Sequence, residues 1–375
     1  MPSLRPFDVD IRPAIRLAVT CLILAIGLRT WLVMGLIEPV TVAGSSMVPA
    51  LQSGDRLWID RTAMLWRPPQ RWEVVVARNP VDAIELCIKR IVGLPGERVA
   101  LRDGNVLVDG AVVVKTFAEQ LALRQRVQRE VLPPMGASDQ RWQSGTTTHW
   151  RFNGRVWQHS AHLNKTLDWL RYEHPRAEPI TDDVVTNVGL TRRLNLVDEF
   201  MLSAEVRVQG EGVLCLALDD GSTTVQVNLR LPESELVVVE GERGRFVERI
   251  SALSRERLVR GKVRIEFSNF DQQLLLAIDG HVELRRRWPQ AKAAGTARPV
   301  SIGAQGLDVE IGSLTLYRDV YHSSHAVGAP PPRAAQWPLG PDEYFLLGDN
   351  APVSLDSRLW GPVPARLLVG KPLLP

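Results

Sequence analysis

The sequence predicts a mainly β protein with one apolar helix at its N-terminus. Three observations carry that expectation. The run from Ala14 to Ile37 is almost wholly apolar. Much of the remaining chain falls into short stretches that alternate apolar and polar residues, the period that lines one face of a pleated strand. Between them stand Gly, Asp, Asn and Pro pairs, which set the backbone for tight turns.

The 375 residues suffice for two domains or one heavily decorated one. Hydrophobic content of 45% and charged content of 23% are ordinary for a globular chain. A net charge of +3 makes no case for nucleic acid as a partner. The three cysteines, Cys21, Cys87 and Cys215, are too few and too scattered for a disulfide framework or a zinc site, and read as free thiols. All seven histidines lie between His149 and His325. The pairs His159/His162 and His322/His325 have a ligand-like spacing, but no third ligand accompanies either in a recognisable pattern. No metal and no cofactor are expected.

At the N-terminus, residues 1–13 carry Arg5 and Arg12 and read as a cytoplasmic flank. A spanning helix needs about 20 residues. Residues 14–37 suffice, with Arg29 as an interruption. A mid-bilayer arginine costs on the order of 3 kcal/mol, less if it snorkels. The basic flank places the N-terminus inside and the body outside. Trp31 suits the interface. Two other readings fit the same residues: a cleaved signal peptide ending near Thr41-Val42-Ala43, or a buried soluble helix.

Strands are expected at Arg56–Asp60, Glu73–Ala77 and Leu86–Val92, with Pro68-Pro69 forcing a loop between the first two. Val99–Val114 reads as a hairpin turning at Asp103-Gly104 and Asp109-Gly110. A charged helix is expected over Phe117–Leu132, stopped by Pro133-Pro134. Further strands follow at Met201–Val208, Val213–Leu218, Thr223–Leu229, Leu236–Val239, Lys262–Phe267, Leu274–Ile278 and Ile311–Tyr317, at sandwich-like spacing. The proline-rich Ala329–Arg333 reads as a linker, and Tyr344–Leu347 as a strand entering Gly348-Asp349-Asn350.

Three segments carry candidate chemistry: Gly44-Ser45-Ser46-Met47-Val48-Pro49, Cys87-Ile88-Lys89-Arg90-Ile91-Val92-Gly93-Leu94-Pro95-Gly96, and Gly348-Asp349-Asn350 running to Asp356-Ser357-Arg358. None contains a histidine, so a single site built from them needs another base for a serine nucleophile, and Lys89 is the available group. A free lysine titrates near 10.4 and is protonated at neutral pH. Lowering it by about 3 units takes about 4 kcal/mol of differential solvation, which an apolar setting can supply. At strand period, Cys87 and Ile91 share the Lys89 face and Arg90 points the other way. On spacing alone, Lys89 is equally readable as a snorkelling lysine on an edge strand.

In this order, behind an apolar segment, the three segments resemble the type I signal peptidases, membrane-bound serine proteases with a Ser/Lys dyad. The resemblance covers residues 38–115 and 336–375. It implies one catalytic β domain split by an inserted β-sandwich over 116–335, itself loosely similar to laminin-G or concanavalin-like jelly rolls. It further implies Ser46 as nucleophile, Lys89 as general base and Ser354 as the hydroxyl that orients the lysine. Asp356 and Arg358 would brace the site, with Gly44, Met47, Asp349 and Asn350 supporting it. Gly44 stands where some members carry a hydroxyl oxyanion donor, which leaves backbone N–H groups for that task. Ala351-Pro352-Val353 replaces the usual Arg-Asn-Asn-like residues while keeping the spacing to Ser354. The bland reading of Ser354 and Asp356 is turn chemistry.

The expected function is removal of N-terminal signal peptides from exported preproteins at Ala-x-Ala-type sites, outside the cytoplasmic membrane. Its partners would be those signal peptides and the lipid bilayer. The insert is expected to bind carbohydrate or protein, or to be a spacer. Trp58, Trp66 and Trp72 either dip into the bilayer surface or serve as core residues. A different class of function is an inactive membrane-tethered scaffold displaying a lectin-like module.

Overall fold

The computed structural model describes residues 12–82, 84–127, 141–145, 149–161, 166–187, 190–240, 245–288, 294–324 and 336–373. Helix Arg12–Leu36 runs straight into strand Ile37–Thr41. Ile15, Leu17, Leu22, Leu24 and Ile26 stand exposed on it. The segment expected as an anchor is thus helical. Among the described residues, however, no helix is long and apolar enough to cross a membrane. Arg16, Thr20, Gly27, Arg29 and Thr30 dilute its apolar run, and the Thr20 and Thr30 hydroxyls bond back to the Arg16 and Ile26 carbonyls at 2.9 and 2.8 Å.

Both ends of the chain build one seven-stranded sheet. Strand Leu368–Leu373 lies between Arg56–Asp60 and Val74–Arg78, and Glu343–Leu347 pairs with Leu86–Gly93. A four-stranded sheet beside it joins Trp337–Pro338 to Arg98–Arg102, Asn105–Val108 and Ala111–Val112. Val92, Val99, Val106, Trp337 and Phe345 pack into one core cluster, and Val75, Ile91 and Leu346 into another. The hairpin expected over Val99–Val114 is therefore three short strands.

A thirteen-stranded sheet is built from strands between Gln125 and Arg318. Its spine is two long strands, Phe200–Asp219 and Val300–Arg318, paired with register shifts at Ser203/Glu205 and Gly210/Val213. Two strands expected over Met201–Leu218 are one bulged strand. The ladder with Val300–Arg318 skips Glu211 and Gly212, a bulge that needs glycine at 212, where a Cβ would lie 2.1 Å from the Gln305 carbonyl oxygen. The helix expected over Phe117–Leu132 is Phe117–Leu123, opened by a Thr116/Glu119 capping box; Gln125–Arg126 is already strand. The remainder of that expectation, the Pro133-Pro134 stop, the Ala329–Arg333 linker, His162 and His325 lie outside the described residues. Helix Ala252–Arg260, capped by Ser251, was not expected.

The two bodies meet around a buried ammonium. Lys115 Nζ donates to Asp271 Oδ1 at 2.5 Å and Asp319 Oδ2 at 2.6 Å, and lies 5.0 Å from the Trp72 ring centre. Burial disfavours its charge, but Asp271, Asp319 and Glu199 outweigh that and hold it above the usual lysine range. Burial, reinforced by Asp319 and Asp271, pushes the Glu199 carboxyl well up. Trp72 in turn stacks on His322, whose backbone N–H bonds the Gly104 carbonyl at 2.9 Å. Burial and Lys115 together lower that imidazole to about 4, so it is neutral at physiological pH. Replacing Lys115 by Met would leave two buried carboxylates facing each other. Lys115→Met is expected to cost about 3–5 kcal/mol of unfolding free energy, read from urea midpoints at neutral pH.

Candidate active site

Ser46 sits in a turn held from both sides. Val48 N–H bonds the Ser45 carbonyl at 3.2 Å and Leu51 N–H bonds the Met47 carbonyl at 2.9 Å. Met47 is the anchor, 2% exposed among Val42, Leu51, Leu57 and Val74. Gly44 enters the turn at φ +79°, a left-handed conformation that strains any residue with a Cβ.

Lys89 lies mid-way along Leu86–Gly93, opposite Val75 on the neighbouring strand. Its Nζ is 3.0 Å from Ser46 Oγ and 3.1 Å from the Ile88 carbonyl oxygen. The side chain is 5% exposed. Burial lowers its pKa from the ordinary lysine value, against a counter-pull from Cys87, Asp356 and Asp349. Ile91, on the same face, is fully buried, and Cys87 is half-buried.

Arg90 does leave the opposite face, but into the interior. Its Nε and Nη2 donate to both Asp349 oxygens at 2.7 and 2.6 Å, and Nη1 donates to the Trp72 carbonyl at 2.6 Å. Asp349 and Asn350 follow the strand Glu343–Leu347 through Gly348. Asn350 clasps the serine turn: its N–H bonds the Ser46 carbonyl at 2.9 Å and its Nδ2 bonds the Ser45 carbonyl at 3.0 Å. Asp356 caps the helix Ser357–Trp360 and receives Gly348 N–H at 3.1 Å. Arg358 Nε and Nη2 fork onto the same carboxylate at 2.8 and 2.7 Å, while Nη2 also reaches the Ala351 and Ser354 carbonyls.

Ser354 departs from expectation. Its hydroxyl is fully buried, yet it makes no hydrogen bond among the described residues, Lys89 included. It is turned against Gly348, where an added Cβ would lie 2.3 Å from Ser354 Oγ and 2.5 Å from the Ser46 carbonyl oxygen. The lysine instead bonds Ser46 and Ile88. Reasoning from sequence missed three groups: Arg90, Asn187 and Ser357, whose hydroxyl accepts Leu346 N–H at 2.9 Å. Arg90 left a signal, since an arginine inside an apolar strand needs an acid partner.

A hydroxyl in hydrogen-bond reach of a desolvated amine is the arrangement of an activated serine. The family model described as "Signal peptidase, peptidase S26" matches residues 14–161 and 302–375, more than half of the chain. The chain belongs to that family. A probable signal peptidase I-2 from Synechocystis sp. is 42% identical over 105 residues, covering 26% of this chain and 46% of the relative. Signal peptidase I T of Bacillus subtilis is 33% identical over 82 residues, covering 22% and 42%. The chain thus spans about half the length of the curated relatives it matches. The stretch unmatched by the family model, 162–301, lies within the second body, so the family domain is split by an insertion. Solved structures similar to the chain include carbohydrate-binding module CBM66 from Bacillus subtilis (10% identity, 47% of this chain and 94% of that one, TM-score 0.31). Galectin LEC-6 from Caenorhabditis elegans is another (8%, 40% and 94%, TM-score 0.25). Similarity at this level carries no argument about a ligand.

The crowding at Gly348 is directly testable. Gly348→Ala must displace both the Ser46 carbonyl and Ser354, and is expected to lower stability by about 1–3 kcal/mol. Thermal or urea unfolding beside the parent protein checks it.

Proposed function

We propose that the chain is a serine endopeptidase that removes N-terminal signal peptides from exported preproteins, with Ser46 as nucleophile and Lys89 as general base. The observation that carries this reading is the 3.0 Å contact between Ser46 Oγ and a buried Lys89 Nζ. Neutral Lys89 takes the hydroxyl proton as Ser46 Oγ attacks the scissile carbonyl. The C–N bond then breaks, and Lys89 gives that proton to the leaving amine. Water, deprotonated by Lys89, hydrolyses the acyl-enzyme and restores Ser46. Backbone N–H groups serve the oxyanion, since Gly44 has no side chain to offer. Asp349, Asn350, Asp356 and Arg358 fix the two loops between which these steps occur.

We place the division of the chain at 38–115, 116–335 and 336–375, with Lys115 at the first seam. Helix Arg12–Leu36 holds the protein at the cytoplasmic membrane, its catalytic body on the outer side; its exposed aliphatic side chains and the arginines at its N-terminal end, Arg5, Arg12 and Arg16, support this reading. The insert supplies a polar site of saccharide type, supported by a cavity of about 380 Å³ lined by His149, Arg151, Gln158, Arg207, Gln209 and Glu310. Its converging donors and acceptors suit hydroxyl groups. Arg207→Ala with Glu310→Ala should abolish retention on a glycan array; retention equal to the parent would exclude the cavity.

Ser46→Ala and Lys89→Ala are each expected to abolish cleavage of a purified preprotein while leaving the fold intact by circular dichroism. Activity requires the neutral amine, and burial lowers the pKa at which it forms. The rate should therefore rise with pH on a limb centred below about 10.4. Full cleavage by Lys89→Ala would refute the dyad.

A further inference from the structure

The stretch unmatched by the family contributes a residue to the back of the site. Asn187 ends a short 3-10 turn, Val185–Asn187. It lies between the two stretches that the family model matches. Its Nδ2 donates to Asn350 Oδ1 at 2.8 Å, and Asn350 Nδ2 donates to Asn187 Oδ1 at 2.9 Å. The two side-chain amides form a closed reciprocal pair. Asn187 is 5% exposed and Asn350 fully buried. Asn350 is the residue that clasps the Ser45 and Ser46 carbonyls.

Behind the pair the turn is rigidly held. Asp182 accepts from Arg192 Nη1 at 2.8 Å and from Asn195 N and Nδ2 at 2.9 and 2.8 Å. Arg318, at the end of the long strand Val300–Arg318, donates to the Asp183 carbonyl at 3.1 Å. Hydrogen bonds therefore lead from the sandwich through Asn187 and Asn350 to the carbonyl of the serine itself. A second link runs from Gln125 Nε2 to the Asp349 carbonyl at 3.2 Å.

We infer that Asn187 is a positioning residue for Ser46, so that the inserted body completes the site rather than merely riding on it. This rests on the Ser46/Lys89 reading above. Asn187 touches no reacting atom; it fixes the Asn350 amide, which fixes the serine turn at the distance where Lys89 can take the proton. Without it, the buried Asn350 amide loses the donor to its oxygen and one of the two acceptors of its NH₂ group, keeping only the Ser45 carbonyl. The turn then samples positions in which Ser46 Oγ is out of reach.

The experiment is preprotein cleavage by the full chain, comparing Asn187→Ala, Asn350→Ala, the double variant and Ser46→Ala, with amide exchange followed at Val48 and Asn350. Asn187→Ala should lower kcat about tenfold to a hundredfold with KM within about twofold, and the double variant should be no worse than Asn350→Ala. Exchange at Val48 and Asn350 should quicken while strand Leu86–Gly93 stays protected. If Asn187→Ala fails to fold, the near-isosteric Asn187→Asp carries the same expectation. Parent-like kcat and exchange in the Asn187 variant, with Ser46→Ala inactive, would overturn the inference and leave the dyad standing. Should Ser46→Ala cleave normally, the dyad falls, and exchange alone decides: quickened exchange sustains the positioning role and unchanged exchange ends it.

Discussion

A primary amine kept from water next to a hydroxyl is the constraint on which the rest of this structure depends. Burial lowers the basicity of Lys89, but Asp349 and Asp356 pull the other way. Left bare, two carboxylates near the amine would favour its charged form. Each is instead forked by its own arginine, Arg90 on Asp349 and Arg358 on Asp356. Planar guanidinium groups suit this task, since they stay charged and match both carboxylate oxygens. The interior thus holds two ion pairs of near-zero net charge beside one amine whose environment is set chiefly by desolvation. Removing an arginine would disturb the lysine without touching it.

That environment is assembled from residues some three hundred positions apart. Strand Leu368–Leu373 slots between strands from the first eighty residues, and Glu343–Leu347 pairs directly with the lysine strand. Such a sheet forms only if the chain leaving at Val112 returns near its starting point by Trp337. The second body meets that condition: Gly104 and His322 pair as an isolated bridge, and Lys115 binds Asp319. Exit and entry lie together, the geometry in which an insertion leaves its host domain able to close.

What the sequence disclosed followed from how local the signal was. Ser46, Lys89, Asp349, Asn350, Asp356 and Arg358 sit in short segments whose order and spacing can be read directly. Strands Thr224–Leu231, Glu235–Glu240, Lys262–Ser268 and Gln273–Ile278 are visible as alternating runs, with ends shifted by a residue or two, whereas Arg245–Arg249 is not. The bulged strand Phe200–Asp219 is not visible either, because Gly210-Glu211-Gly212 has a turn's composition and its pairing with Leu307 and Leu231 comes from distant strands. Ser354 kept its spacing, but spacing does not fix a χ1 angle. Asn187 had no local signal at all. Its role exists only through a partner 163 positions away.

The amide pair bears on whether the second body could be a bystander. A buried Asn350 side chain has one acceptor and one NH₂ group to satisfy. Its donor reaches the Ser45 carbonyl and the Asn187 oxygen, and its acceptor is met by Asn187. Without the insert, water would have to take the place of Asn187, in a site that also needs the neighbouring lysine dry. Water bridging the amide would stand close to the serine turn and loosen the very carbonyls that Asn350 holds. A protein amide fills the same bonds with no mobile solvent: its own backbone is tied to Val184 and Leu190, and Asp182 and Asp183 just before it are held by Arg192, Asn195 and Arg318. On this argument the inserted body shares one dehydrated interior with the site, and its attachment constrains the position of Ser46 whatever else it binds.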